Sequence, residues 1–361
     1  MTFNLLALDG GGIRGYMTAR IMQRLEQDAG VSFTDAGTVN GYCGTSTGGL
    51  LAIALANAHS PEFLANLYRN KADEIFLSND SHEFLWLIRF LSGFYSGFKR
   101  LIEGVGVFDS QYRADGLHKI ANELVGGNTF GDFDQNRVLA VNTAAMKIPE
   151  ENMGVPDADE GWTSTTMCNH KLPRSRIGDS REIAQLDGAL CTSAAPSYFP
   201  PHHVKVGNRS LGFFADGGLF ANNPVMNGIT VAKSASLATE EDFRVISIGT
   251  GVDSTGIPES VFRKPRKFGA LAWLGFEKGV PPAALLNMTM TTSADNMTWI
   301  SGNILGDKMV RLNPVLPQPV AMDGHSPRDF ATMDKAVDDL VASDDWAPAV
   351  EFAKAWAPVT T

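Results

Sequence analysis

Twice near its start the chain repeats one pattern: a short apolar run, an abrupt cluster of glycines, then apolar residues at helical spacing. The first run, Phe3 to Leu8, has the length of a strand covered on both faces, and Asp9-Gly10-Gly11-Gly12 cuts it off. After Gly15, the residues Met17, Ile21, Met22 and Leu25 recur at the period of a helix. The second run, 38–43, leads into Gly44-Thr45-Ser46-Thr47-Gly48-Gly49 and then an Ala/Leu-rich helical stretch from Leu50 to Ala58. Buried strands alternating with helices fold as α/β layers around a mainly parallel sheet, because parallel neighbours need a helical crossover. Arg137 to Ala145 and Arg244 to Thr250 read as further strands, and Leu211 to Ala215 as one that delivers Asp216 to a sheet end. Arg181 to Thr192 reads as a helix stopped by Ala194-Ala195-Pro196. A helical stretch is expected near 283–300. The tail from Asp329 to Trp356 predicts two acidic amphipathic helices broken near Trp346-Ala347-Pro348.

Composition narrows the class. The 361 residues are 44% hydrophobic and 19% charged, which is a globular balance and not a disordered one. A net charge of −10 argues against DNA or RNA as partner. Cys43, Cys168 and Cys191 are too few and too scattered for a disulfide framework or a zinc knuckle. The first residues lack the basic region of a signal peptide, and no uncharged apolar run reaches the length of a membrane span. A cytoplasmic protein is expected, without metal or cofactor.

Three glycine turns carry the chemistry. Gly44-Thr45-Ser46-Thr47-Gly48 is a G-x-S-x-G between strand and helix, where flanking glycines permit a turn sharp enough to present Ser46 Oγ at the sheet edge. A plain small-residue turn with tight helix packing at Gly48-Gly49 is the competing reading. Asp9-Gly10-Gly11-Gly12-Ile13-Arg14-Gly15 contains G-x-G-x-x-G, which alone suggests a dinucleotide site at Gly10 to Gly15. That fingerprint wants an acidic residue at the end of the next strand, and neither Asp28 nor Asp35 ends a convincing one. The same loop can instead aim its N–H groups at an oxyanion. Asp216-Gly217-Gly218 follows an apolar strand, and by itself also fits an ordinary loop.

Taken together, the segments 9–15, 44–49, Ser193-Ala194-Ala195-Pro196-Ser197-Tyr198-Phe199-Pro200-Pro201 and 216–218 resemble the patatin-like phospholipases over roughly residues 1–250. The resemblance implies a three-layer α/β/α fold and hydrolysis of lipid acyl esters by a Ser–Asp dyad, without calcium in the catalytic step. It implies Ser46 as nucleophile, Asp216 as base, an oxyanion hole at Gly10, Gly11 and Gly12, and Arg14 at the family's basic loop position. Burial at the strand end would raise the Asp216 pKa toward the working pH of a base. Some bacterial members are antiphage effectors switched on by cyclic oligonucleotides, so such an activator is a further expectation. A homodimer is compatible with it. The chain departs from the pattern at Tyr42-Cys43, where smaller aliphatic residues are common, and in the region after the core.

The expected organisation is a hydrolase core over 1–250 with a C-terminal elaboration over 251–361 packed on it. Residues 84–108 are crowded with aromatics and carry Arg89, Lys99 and Arg100, which suits a lid, a cap or an interfacial element. Trp273, Leu274 and Phe276 pose the same choice. Peripheral association with a phospholipid surface is expected during catalysis, by apolar insertion given the acidic charge. Two alternatives stand beside the dyad: a Ser–His–Asp arrangement drawing on His325, and a non-catalytic nucleotide-binding module at Gly10–Gly15. His202-His203 more simply begin a strand than bind metal.

Overall fold

Strand β1 (Phe3–Leu8) is buried along its whole length, and its side chains alternate between two separate cores. Leu6 and Leu8 belong to the larger core, while Phe3, Leu5 and Ala7 belong to the smaller one. A strand buried on both faces must have helices on both, which makes three layers. The structure, a computed structural model, describes residues 2–76, 110–147, 162–252, 256–257, 259–263, 273, 280 and 283–358. The aromatic segment 84–108, with Leu274 and Phe276, lies outside the described residues.

The larger core is covered by α1 (Gly15–Ala29), α2 (Thr47–Ala56), α3 (Pro61–Ile75), α4 (Ala114–Val125) and α5 (Gln185–Ser193). Helix α2 is apolar all round and buried from Thr47 through Leu55, as a helix enclosed between sheet and outer helices must be. The smaller core is closed by α6 (Val225–Ser234), through Val225, Ile229, Val231 and Ala232. The described strands are β1, β2 (Gly41–Thr45), β3 (Val138–Lys147), β4 (Thr163–Cys168), β5 (His202–Val206), β6 (Arg209–Asp216), β7 (Phe243–Ile248) and β8 (Met309–Leu312). They run β5-β6-β3-β2-β1-β7-β8, with β4 on the other edge of β3. Pairs among β3, β2, β1, β7 and β8 are parallel, and β3–β4, β3–β6 and β5–β6 are antiparallel.

The C-terminal region enters the sheet itself: β8 pairs with β7 after the long helix α7 (Ala284–Leu305). Helices α8 (Pro327–Val341) and α9 (Trp346–Lys354) then pack against α1. Ser326 and Asp329 cap α8 reciprocally, Tyr16 meets Phe330 edge to face, and Trp346 Nε1 donates to Asp28 Oδ2 at 2.9 Å. The break in the tail falls at 342–345, beside Trp346-Ala347-Pro348 as expected. Pro348 sits in the first turn of α9, where its missing N–H has no intrahelical partner to lose. The helix expected from Arg181 starts instead at Gln185, because Ile183 and Ala184 are extended, and the Ile183 carbonyl accepts from Phe130 N–H.

Candidate functional site

The pairing along β3 explains how two residues far apart in sequence meet. Strand β4 occupies one edge of β3 over Ala140–Ala145, so β2 and β6 must share the other. On that edge Thr45 pairs with Asn142 and Asp216 with Thr143, successive residues of β3. β2 runs parallel to β3 and β6 antiparallel, so their C-terminal ends face each other there. Ser46 is the residue after Thr45, and it therefore emerges at Asp216.

The turn at Ser46 is tight and strained. Ser46 holds φ 56° and ψ −129°, unusual for a residue with a side chain and costing roughly 1–3 kcal/mol. A Cβ on Gly44 would overlap the Gly48 backbone, and one on Gly48 would overlap the Leu8 carbonyl. Both glycines of G-x-S-x-G are thus required by contact. Ser46 N–H donates to Thr192 Oγ1 at 2.9 Å, whose hydroxyl donates to the Asn142 carbonyl at 2.6 Å. The Asn142 amide donates to Thr45 Oγ1 at 3.0 Å.

Asp216 is buried, with Oδ1 accepting from Gly218 N–H at 2.7 Å. Burial pushes its carboxyl up to about 7, against the opposing pull of the Ser46 hydroxyl and the Gly218 N–H. Oδ2 is buried without a formed hydrogen bond, so the Ser46 hydroxyl stands beside the carboxyl in a loose contact. Pairs of this kind often tighten only around substrate.

The glycine loop lies against the turn: a Cβ on Gly10 would come within 2.8 Å of Ser46 Cβ. Its backbone is fixed from outside. Gly10 N–H donates to the Asn222 carbonyl at 3.2 Å, the Gly10 carbonyl accepts from Thr250 Oγ1 at 2.8 Å, and Ile13 N–H donates to the Met322 carbonyl at 2.7 Å. The Gly10 N–H expected to face an oxyanion is therefore engaged by the Asn222 carbonyl, whereas among the described residues the Gly11 and Gly12 N–H groups form no such bond. Gly12 has φ 61°, and a Cβ there would overlap the Met322 carbonyl. Arg14 Nε reaches the Gly11 carbonyl at 3.4 Å, as does Arg14 N–H at 3.3 Å. In a trans peptide this turns the Gly12 N–H the opposite way.

Asp9, at the head of the loop, is buried in a two-pronged ion pair with Arg311 of β8. Arg311 Nη1 lies 2.9 Å from Oδ1, and Nη2 contacts Oδ2. Burial pushes the Asp9 carboxyl up while the guanidinium pulls against it. Arg311, Thr250, Met322, Asn222, Thr192 and Asn142 were not singled out from the sequence as site residues. Only Thr192, directly before the Ser193–Pro201 motif, lies where a sequence signal could have pointed.

A cleft with a mostly apolar lining opens onto Ser46, walled by Leu50, Ile75, Phe76, Leu117, Phe199 and Met322, with a volume of about 50 Å³. His325 stacks on Phe76, but its Nδ1 meets the Asp323 carbonyl at 2.6 Å and its Nε2 lies 3.0 Å from Asp73 Oδ1. Neither nitrogen pairs with Ser46 or Asp216, so the Ser–His–Asp arrangement is not assembled. The dinucleotide fingerprint is not completed either: Asp28 binds Trp346, and Asp35 caps its own turn at Gly37 N–H. His202 and His203 open β5, bonded to Asp187 and Ser210, and no metal-binding cluster is found among the described residues.

Comparison with known proteins shows the family. The family description "Patatin-like phospholipase" matches residues 6–229. A protein named cGAMP-activated phospholipase from Vibrio cholerae is 30% identical over 330 residues, covering 88% of this chain and 83% of that protein. One of the same name from Escherichia coli is 28% identical over 337 residues, covering 88% and 82%. The 85/88 kDa calcium-independent phospholipase A2 of Rattus norvegicus is 26% identical over 345 residues, covering 89% of this chain and 36% of the rat protein.

Proposed function

This chain belongs to the patatin-like phospholipase family and is a lipid acyl hydrolase, and we propose that it cleaves fatty-acyl esters of phospholipids through Ser46 and Asp216. The observation that carries the reading is the head-to-head meeting of β2 and β6 on β3, which sets a strained serine beside a buried carboxyl with a pKa of about 7. Serine is a poor nucleophile until a base accepts its proton. A carboxylate near its ordinary value is a weak base at neutral pH, whereas one raised to about 7 is well matched.

In the first half-reaction Ser46 Oγ attacks the ester carbonyl as its proton passes to Asp216. The Gly11 and Gly12 N–H groups stabilise the tetrahedral oxyanion, each well-aimed donor contributing about 3–4 kcal/mol. Collapse expels the lysolipid alkoxide, which takes the proton from Asp216, and leaves an acyl-serine. Water then attacks that ester with Asp216 again as base, releasing the fatty acid and restoring Ser46. Arg14 supports the step by holding the Gly11 carbonyl, and Gly10 serves as the spacer that lets the loop approach Ser46.

The apolar cleft suits an acyl chain. Two relatives named for activation by cGAMP support a cyclic oligonucleotide as the activator. Among the described residues no helix is long and apolar enough to cross a membrane.

Hydrolysis of phospholipid vesicles by Ser46→Ala and Asp216→Asn tests the dyad, read as released fatty acid with and without a cyclic dinucleotide. Each variant is expected to lose roughly a thousand-fold or more. Retention of near wild-type turnover by either one contradicts the assignment.

A further inference from the structure

Separate from the acyl cleft, and sharing no lining residue with it, is a second cavity of about 200 Å³. Its walls are of a different kind: Arg174 and Arg176, Ser164 and Ser175, and Phe220, with Thr166, whose hydroxyl is already given to Asn142, at its inner wall. Two guanidiniums with serine hydroxyls suit a phosphodiester anion, since guanidinium forks match phosphate oxygens. The half-buried ring of Phe220 in the wall offers a face on which a base can stack. The volume takes a phosphate with its sugar, and the open mouth leaves the rest of a nucleotide in solvent.

Two connections run from this cavity to the reacting pair. Asn227, also in its wall, donates to Thr166 Oγ1 at 3.1 Å, and Thr166 donates to Asn142 Oδ1 at 2.9 Å. Asn142 holds Thr45 Oγ1 through its amide, and through its carbonyl holds Thr192, which fixes Ser46 N–H. The second connection is Phe220 itself. It belongs to the turn whose Gly218 N–H holds Asp216 and whose Ala221 carbonyl accepts from Thr45 Oγ1 at 2.6 Å.

We infer that the cavity lined by Arg174, Arg176 and Phe220 is a phosphodiester-binding site whose occupant acts on Ser46 and Asp216 through Thr166–Asn142 and the 217–222 turn. The inference rests on the proposed dyad and its activator, and it names where the activator would sit. A ligand that withdraws Thr166 from Asn142, or presses on Phe220, changes the position of both reacting groups without entering the acyl cleft.

Calorimetric titration with cyclic GMP–AMP, and separately with glycerophosphocholine, distinguishes a free nucleotide from a lipid headgroup as the source of the phosphodiester. Binding of either by the wild-type chain is expected, weakened roughly ten-fold or more by combined Arg174→Ser and Arg176→Ser, and weakened less by combined Arg174→Lys and Arg176→Lys. Thr166→Val is expected to bind the same ligand while losing most of the rise in vesicle hydrolysis. Failure of both probes to bind, or binding indifferent to the arginines, overturns the site. Full activation of Thr166→Val overturns the coupling. Activation by cyclic GMP–AMP that is unchanged in the combined Arg174→Ser and Arg176→Ser variant leaves the dyad intact and removes only this inference, whereas turnover surviving Ser46→Ala removes the dyad.

Discussion

The two glycine turns at Ser46 differ in what holds them. The turn at 44–49 is shaped by its own glycines, Gly44 packed against the Gly48 backbone and Gly48 against the Leu8 carbonyl, and Thr192 and Asn142 brace the strained Ser46 N–H. The loop at 9–15 is held by residues from far along the chain. Arg311 grips Asp9, Thr250 and Asn222 hold Gly10, and the Met322 carbonyl anchors Ile13. The turn that presents Ser46 is thus specified by its glycines and braced by Thr192 and Asn142, while the loop proposed to supply the oxyanion donors depends on the C-terminal strand and the 313–326 strap that follows it. The C-terminal region therefore bears on rate as well as on stability.

The sharpest break of the local turn is Gly48→Ala. Its methyl group would meet the Leu8 carbonyl, an overlap that backbone on both sides cannot relieve cheaply. Loss of nearly all ester hydrolysis is expected, with a drop of several kcal/mol in denaturant unfolding. Arg311→Met breaks the remote support instead. It leaves the Asp9 carboxyl buried without its cation, so unfolding free energy should fall by about 3–5 kcal/mol, and kcat should fall while Ser46 remains reactive. Thr250→Val removes one hydrogen bond to the Gly10 carbonyl at nearly constant shape. Stability should drop by about 1–2 kcal/mol and kcat a few-fold, with KM little changed. Smallest is His325→Ala: within about three-fold of wild-type turnover if the histidine only braces the strap against Asp73. A collapse of kcat there, with the melting transition intact, would bring back the triad.

What could be read from the sequence divides along the same line. The elbow, the Asp216 turn and the strands that carry them are local patterns of apolar run and glycine, and they appear where expected. The layered fold follows from them, since β1 is apolar toward both faces. Arg311, Thr250, Met322 and Asn142 carry no such signature. An arginine in a strand or a methionine carbonyl acquires its role only when β8 and its strap are laid beside the loop. Gly10 illustrates the same limit: its N–H resembles those of Gly11 and Gly12 in sequence, and only the Asn222 carbonyl sets it apart. The start of the last helix at Trp346 has a local cause, a proline that starts a helix as readily as it ends one.

The central claim is that Asp216 serves as the base for Ser46, and the pH dependence of Ser46 acylation measures it directly. A serine-directed fluorophosphonate would be followed by intact-protein mass spectrometry in the wild-type chain and in Asp216→Asn. Only the ionised carboxylate can accept the proton, so the labelling rate should be low in acid and rise with pH through about 7. Labelling should map to Ser46 alone, and in Asp216→Asn the rate should fall roughly a thousand-fold and lose that titration. Wild-type labelling rates in Asp216→Asn, or an unchanged midpoint there, would contradict the account.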